Sequence, residues 1–191
     1  MAQANFEESV KLARSLEDKG RQSFALNALA GHHCEVGDLA TAEPLFEESV
    51  ALAREMGDRE SIAITLPSLA KIAIERGSAE LARLALLETL AISQEIGATR
   101  PGHQALEVAA LLGILRGEWA RAAQFFGAVE AQMEQLGLRR TPSDEEFLSQ
   151  RIAKARDALG DAAFAAREAA GRALPLDEAL TEVRAWLEGE R

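Results

Sequence analysis

The chain has 191 residues, enough for one globular domain or one short repeat array with a substantial core. Its formal net charge of −10 excludes a binder of nucleic-acid phosphates, and the densest basic spot, Arg139-Arg140, reads as a solvated loop. Hydrophobic residues make up 48% but aromatics only 5%, with no Tyr, so Ala and Leu carry the apolar content and favour packed helices over sheets.

In chain order, the first element is a helix over Phe6 to Leu16. Its segment Phe6-Glu7-Glu8-Ser9-Val10-Lys11-Leu12-Ala13-Arg14 returns as Phe46-Glu47-Glu48-Ser49-Val50-Ala51-Leu52-Ala53-Arg54, matching at eight of nine positions with an offset of 40 residues. The offset continues down the chain. Phe6, Phe46, Leu86 and Phe126 share a register, as do Leu16, Met56, Ile96 and Leu136. Leu26, Leu66 and Leu106 form another row, Gly37, Gly77 and Gly117 a fourth, and Ala42, Ala82 and Ala122 a fifth. A fixed period of this size marks a solenoid built from stacked units.

Each unit reads as two helices. Leu26, Leu29, Ala30 and His33 step at helical spacing, Gly37-Asp38 breaks the pattern, and Leu39, Ala42, Leu45, Phe46, Ser49 and Val50 resume it. The glycine suits a left-handed helix end, and Asp38 or Ser78 can cap the next helix. Gly57-Asp58 and Gly97 end the units. Pro67 falls inside a helix, where it removes a hydrogen bond and crowds the carbonyl of Ala63, so a kink is expected there. Neither helix buries its apolar stripe alone, so stability must come from stacking.

Leu29-Ala30, His33, Gly37, Ala42, Phe46 and Ser49 resemble the tetratricopeptide pattern, and Leu69-Ala70, Ala73, Gly77, Ala82, Leu86 and Thr89 repeat it. Ala110, Gly113, Gly117, Ala122 and Phe126 repeat it less well. The resemblance implies an all-α fold, an α-α superhelix of antiparallel helix pairs. The 40-residue period and the missing unit-end proline depart from the family's usual form. Both are similar to the long-helix variant of bacterial LuxR-type and related signalling ATPases, where the array follows a nucleotide-binding domain. The stretches Gly117 to Glu130, Ala158 to Phe164 and Gly171 to Ala179 look like the end of such a regulator.

After the repeats, residues 1–140, a helical cap is expected over 141–191. Ser143 with Glu146 forms a capping box, and Asp144 and Glu145 favour the positive end of that helix. Three helices follow, over 143–159, 161–171 and 176–188, with Phe147, Ile152, Leu159, Phe164, Leu180, Val183 and Leu187 turned inward to close the solenoid.

Phe6 to Leu16 matches the second helix of a unit whose first helix is absent. This leaves three readings: a fragment of a longer protein, a homodimer through the uncapped N-terminal end, or a half-repeat that caps the array. The single cysteine, Cys34, permits no internal disulfide and fits a reducing compartment. No signal segment or membrane span is visible, which places the protein in the cytoplasm with no membrane partner.

No metal, cofactor or catalytic set emerges. His32-His33-Cys34 are consecutive, so on a helix they point about 100° apart, whereas ligand pairs sit three or four residues apart. The recurring Glu7-Glu8 and Glu47-Glu48 read as solvated faces. Neither a nucleophile elbow nor a phosphate-binding glycine loop is present.

The resemblance implies that the first helix of each pair lines a concave face. Carried over by position, that face is Phe24, Asn27, Gly31 and Cys34, then Ile64, Pro67, Lys71 and Ile74, then Gln104, Glu107, Leu111 and Ile114. This mostly apolar set fits an amphipathic helix of a protein partner. The alternative is that the C-terminal helices already fill the groove. The implied function is a protein-interaction module, the signal-receiving part of a signalling or transcription-regulating ATPase. A free-standing scaffold and a small-molecule sensor are the other readings.

Overall fold

The computed structural model describes residues 2–189, which form ten α-helices and, among the described residues, no strand. The half-unit α1 (Ala2–Ser15) precedes three pairs: α2 (Lys19–Glu35) with α3 (Leu39–Met56), α4 (Arg59–Glu75) with α5 (Ala79–Ile96), and α6 (Thr99–Leu115) with α7 (Trp119–Leu136). Helices α8 (Pro142–Leu159), α9 (Asp161–Arg172) and α10 (Leu176–Glu188) complete the chain. The expected solenoid of helix pairs is therefore present, and the three C-terminal helices lie within a residue of their expected bounds.

The turns follow from the glycine rows. Gly37, Gly57, Gly77, Gly97, Gly117 and Gly137 recur every 20 residues, and each has a positive φ, from 63° at Gly137 to 80° at Gly37. A Cβ is costly in that conformation, so glycine is the residue that reverses the chain there. Glu17 holds the equivalent place after α1 with φ 53° and without that freedom.

Three turns add a side-chain cap. The carboxylates of Asp18, Asp38 and Asp58 accept from the backbone N–H of Arg21, Thr41 and Ser61, at 2.9, 3.2 and 3.0 Å. Side-chain hydrogen bonds from Thr41 and Ser61, and then these backbone bonds, hold the Asp38 and Asp58 carboxyls below the usual carboxylate range. Ser78, an expected cap, makes no such bond. The cap of α8 is Thr141, whose hydroxyl accepts from Asp144 N–H at 3.2 Å, and Pro142 starts the helix. The expected Ser143 capping box rests on a side chain outside the described ones. Pro67 is buried inside α4, which continues through it, and Pro44 lies likewise inside α3.

Stacking buries the rows seen in the sequence. Leu26, Leu66 and Leu106 are 0 to 4% exposed, and Ala42, Ala82 and Ala122 are all at 0%. The small alanines let paired helices approach closely while the leucines remove apolar surface from water, about 2 kcal/mol for each. Ion pairs repeat on the outside. Arg14–Glu48 (2.7 Å) recurs as Arg54–Glu88 (2.8 Å), and Lys19–Glu55 (2.9 Å) as Arg59–Glu95 (2.6 Å). Exposed pairs of this kind contribute little energy but match one unit to the next.

The cap does more than close the end. A single core joins α4 through α10 and includes Leu86, Phe125, Leu148, Phe164, Val183 and Trp186. Helix α9 lies directly on α7. A Cβ on Gly127 would fall 2.0 Å from the Glu168 carbonyl oxygen, and one on Gly171 would fall 1.8 Å from that of Gln124, so only glycine permits this contact. Helix α10 packs on α5, α6 and α7. Its Trp186 indole N–H donates to Glu118 at 2.9 Å, and the Arg116 guanidinium lies 5.2 Å from the ring.

Candidate partner-binding groove

The first helices α2, α4 and α6 touch one another in sequence. Asn27 donates to the Thr65 hydroxyl at 2.6 Å, and Lys71 donates to the Glu107 carboxylate at 2.8 Å. Their common face is only partly open, because α8 folds back across it. Arg151 of α8 pairs with Glu75 of α4 at 2.5 Å and stacks its guanidinium 3.4 Å over the Phe147 ring. Leu148, Ile152 and Ala155 of α8 join Leu111 in the main core.

This covering corrects part of the expected face. Leu111 is 1% exposed and Ile74 7%, so both are core residues rather than groove lining. Repeat position alone pointed them outward, and the longer-range packing of α8 turned that surface into interior. Pro67 is buried as well, and Ile114 is half-buried against the same core. Asn27, Cys34, Ile64, Lys71, Gln104 and Glu107 remain partly accessible. Phe24 is 78% exposed, at the opposite, uncovered end.

Two cavities flank the covered stretch. The first, about 530 Å³, lies between α2, α4 and the start of α8, with Cys34, Phe46, Lys71, Ile72, Asp144 and Phe147 among its walls. Burial pushes the Cys34 thiol up to about 11, against a weaker opposing pull from the Lys71 ammonium. The thiol is therefore neutral at physiological pH. Sequence reasoning did not place Phe46, Ile72 or Phe147 here, because none belongs to the first-helix positions that face outward.

An ion network separates the cavities. Arg140, on the strand of chain between α7 and α8, is 7% exposed and pairs with Glu107 at 2.8 Å and Glu130 at 2.6 Å, while Lys71 holds the other Glu107 oxygen. Arg140 is thus no part of a solvated loop. The acidic residues that meet it are remote in sequence, so the doublet gave no hint of burial. Burial alone would raise the Glu107 pKa, but Lys71 and Arg140 more than offset it and hold the carboxyl below its usual range. Burial likewise works against the charge on Arg140, yet Glu107 and Glu130 hold its pKa above the ordinary value.

The second cavity, about 620 Å³, carries Arg100, His103, Gln104, Met133, Leu138 and Arg139 on its walls. His103 Nε2, Gln104 Oε1 and Arg140 Nη2 are buried without a hydrogen-bond partner in the chain. Elsewhere His33 fills a packing position and shares a 3.2 Å hydrogen bond with Asp38, while the His32 ring lies 5.7 Å from Phe6. Among the described residues no group of side chains converges as a metal site, and no helix is long and apolar enough to cross a membrane.

Residues 21–95, the span of α2 to α5, match the family model of the tetratricopeptide repeat. No curated protein and no solved structure matches the chain. The regular helix pairs and this match together show a helical-repeat fold in which α2 to α5 resemble tetratricopeptide repeats.

Proposed function

We propose that the chain is a protein-interaction module. The part of the first-helix face left open by α8 receives an amphipathic helix from a partner protein. The supporting observation is the pairing of a largely apolar cavity, whose walls also carry Glu35, Lys71, Glu75 and Asp144, with one rich in cationic side chains across the Lys71–Glu107–Arg140 network. Phe46, Ile72 and Phe147 offer an anchor pocket for a large apolar side chain. Arg100 and Arg139, both exposed, place positive charge beside it on a molecule that is otherwise strongly acidic. A partner helix with an apolar face and flanking Asp or Glu matches both halves, and its polar groups would meet the unpartnered atoms of His103 and Gln104.

The finer assignment is that this module receives the signal for a bacterial signalling or transcription-regulating ATPase. It rests on the long-helix repeat and on the resemblance of the C-terminal stretches.

Selection of helical peptides on the purified chain tests the groove. Recovered binders should carry an apolar anchor with acidic flanks. Their affinity should fall about tenfold or more with Arg100→Glu plus Arg139→Glu. Selected peptides that bind the variant and the parent equally would rule the groove out.

A further inference from the structure

We propose that the second cavity is a binding site for a small organic acid with a hydroxyl beside its carboxylate and an apolar body. Its volume of about 620 Å³ lies in the range of small-molecule pockets. The walls divide by chemistry. Arg100, His103 and Gln104 come from the first two turns of α6, and Arg139 and Arg140 from the segment after α7. Val129, Met133 and Leu136 of α7 supply an apolar side.

Charge singles this cavity out. The chain as a whole carries −10, yet these walls hold four cationic side chains, Lys71, Arg100, Arg139 and Arg140, against the two carboxylates of Glu107 and Asp144. Lys71 and Arg140 are already matched by Glu107 and Glu130, and Asp144 accepts from the Thr141 hydroxyl at 2.8 Å. Arg100 and Arg139 have no ion pair among the described residues, in a chain where most arginines have one. Helix α6 also begins without a side-chain cap, so the positive end of its dipole is left uncompensated beside Arg100.

The floor supplies the second observation. The Arg140 side chain is 7% exposed, and its Nη2 has no hydrogen-bond partner. Gln104 Oε1 and His103 Nε2 are buried and unpartnered as well, whereas the remaining such atom, Glu130 Oε1, faces Arg140 across a 2.6 Å ion pair. A buried donor or acceptor left unmet is unfavourable, and a ligand that meets it removes that cost. Arg140 Nη2 only donates and Gln104 Oε1 only accepts, so the first calls for a carboxylate and the second for a hydroxyl, while His103 takes either part. Met133, unbranched and half-buried on the same wall, turns aside to admit the ligand. The acid needs no part of the anchor pocket of Phe46, Ile72 and Phe147, on which the helix reading depends, so the two readings can fail separately.

Calorimetry and NMR of the histidine rings test this on the purified chain. The probes are lactate, hydroxyisocaproate and phenyllactate, with inorganic phosphate and the diol that replaces the phenyllactate carboxylate by a hydroxymethyl group as controls. Affinity should rise along the three acids as the apolar body grows. Phenyllactate should shift the ring resonances of His103, assigned through His103→Gln, and leave those of His32 and His33 in place. The diol and phosphate should bind about tenfold more weakly or worse. Gln104→Leu plus Arg139→Gln should weaken phenyllactate about tenfold, and Arg139→Gln alone, at an exposed position, about threefold, with helicity by circular dichroism unchanged. Phe147→Ala should leave its affinity as it is. The proposal is overturned if none of the three acids binds saturably at millimolar concentration, if the diol or phosphate binds as well as phenyllactate, or if His32 and His33 respond as His103 does. Full affinity in both Arg139 variants, or loss of binding in Phe147→Ala, would overturn it too.

Discussion

The turns that open α2, α3 and α4 and those that open α5, α6 and α7 come from one repeat, yet different forces hold them. The first three carry an aspartate whose carboxylate caps the next helix. The last three have Ser78, Ala98 and Glu118 at that position, with no side-chain cap bond. Packing runs the other way. Around the first turns the buried side chains form small separate clusters, whereas α5 to α7 share one core with the C-terminal helices. The outer ion-pair ladder stops at the same place. Position 94 is Gln where the rung needs a cation, and its side chain instead accepts from Arg184 of α10 at 2.8 Å. Local signals therefore define the helices at one end, and tertiary burial stabilises them at the other.

The largest test removes the anchor of α10. Trp186 is 6% exposed, packs its ring at a tilt with its centroid 5.4 Å from that of Phe125 and bonds Glu118. Trp186→Ala should cost about 3–5 kcal/mol by urea denaturation. Amide exchange should accelerate in α5, α6 and α7 and stay unchanged in α2 and α3. Uniform acceleration along the chain would show that the two ends unfold as one unit and erase the contrast.

Arg140→Met comes next, at about 3 kcal/mol, because it leaves Glu107 and Glu130 buried with too little positive charge. The sign of its pH dependence follows from Glu107. A folded-state pKa below the unfolded one gives stability that is fully present above about 4.3 and is lost as the pH falls through the lower folded value. Removing Arg140 raises the folded value, so acid loss should begin at a higher pH in the variant. Identical acid transitions in the two proteins would remove Arg140 from the network that divides the groove.

Much of the fold is legible because it is local or periodic. The leucine and alanine rows and the glycine turns follow directly from a 40-residue recurrence of apolar and turn residues. Recurrence alone misleads where it meets the ends. Leu16, Met56, Ile96 and Leu136 recur as faithfully as the core rows, yet they are 38 to 55% exposed, because they lie at or just past the C-terminal end of each second helix, beyond the stacked layer. The groove was harder to read. Its roof, Phe147 and Arg151, belongs to α8, and its charge centre joins Lys71, Glu107, Glu130 and Arg140, which sit at no repeat interval from one another. Contacts between a repeat and a non-repeating cap leave no period to detect.

A smaller effect sharpens the comparison at the open end. Glu17 has φ 53° where Gly57 and Gly97 occupy the same register with φ 70° and 67°. A side chain in that conformation costs about 1 kcal/mol or more. Glu17→Gly should therefore stabilise the chain by about 1 kcal/mol and raise Tm by about 2–4 °C. A lower Tm would mean that Glu17 makes a contact worth more than its strain.

The last test barely changes stability and asks whether α8 roofs the groove in solution. Cys34 and Phe147 share the first cavity, and burial pushes the thiol up to about 11. Only the thiolate is alkylated, so iodoacetamide should label the native chain slowly at pH 8, and faster as the pH approaches 11. Unfolding in urea should restore ordinary reactivity. Phe147→Ala opens the cavity from the α8 side without touching α2, so it should speed labelling at pH 8 while the thermal midpoint moves little. The burial that raises the thiol comes from this roof together with Phe46 and Ile72, which stay in place, so labelling should rise only part of the way to the unfolded rate. Equal rates in the parent and in Phe147→Ala would mean that α2 and α4 alone shield the thiol. The open end and the covered end of the groove would then differ in sequence but not in access.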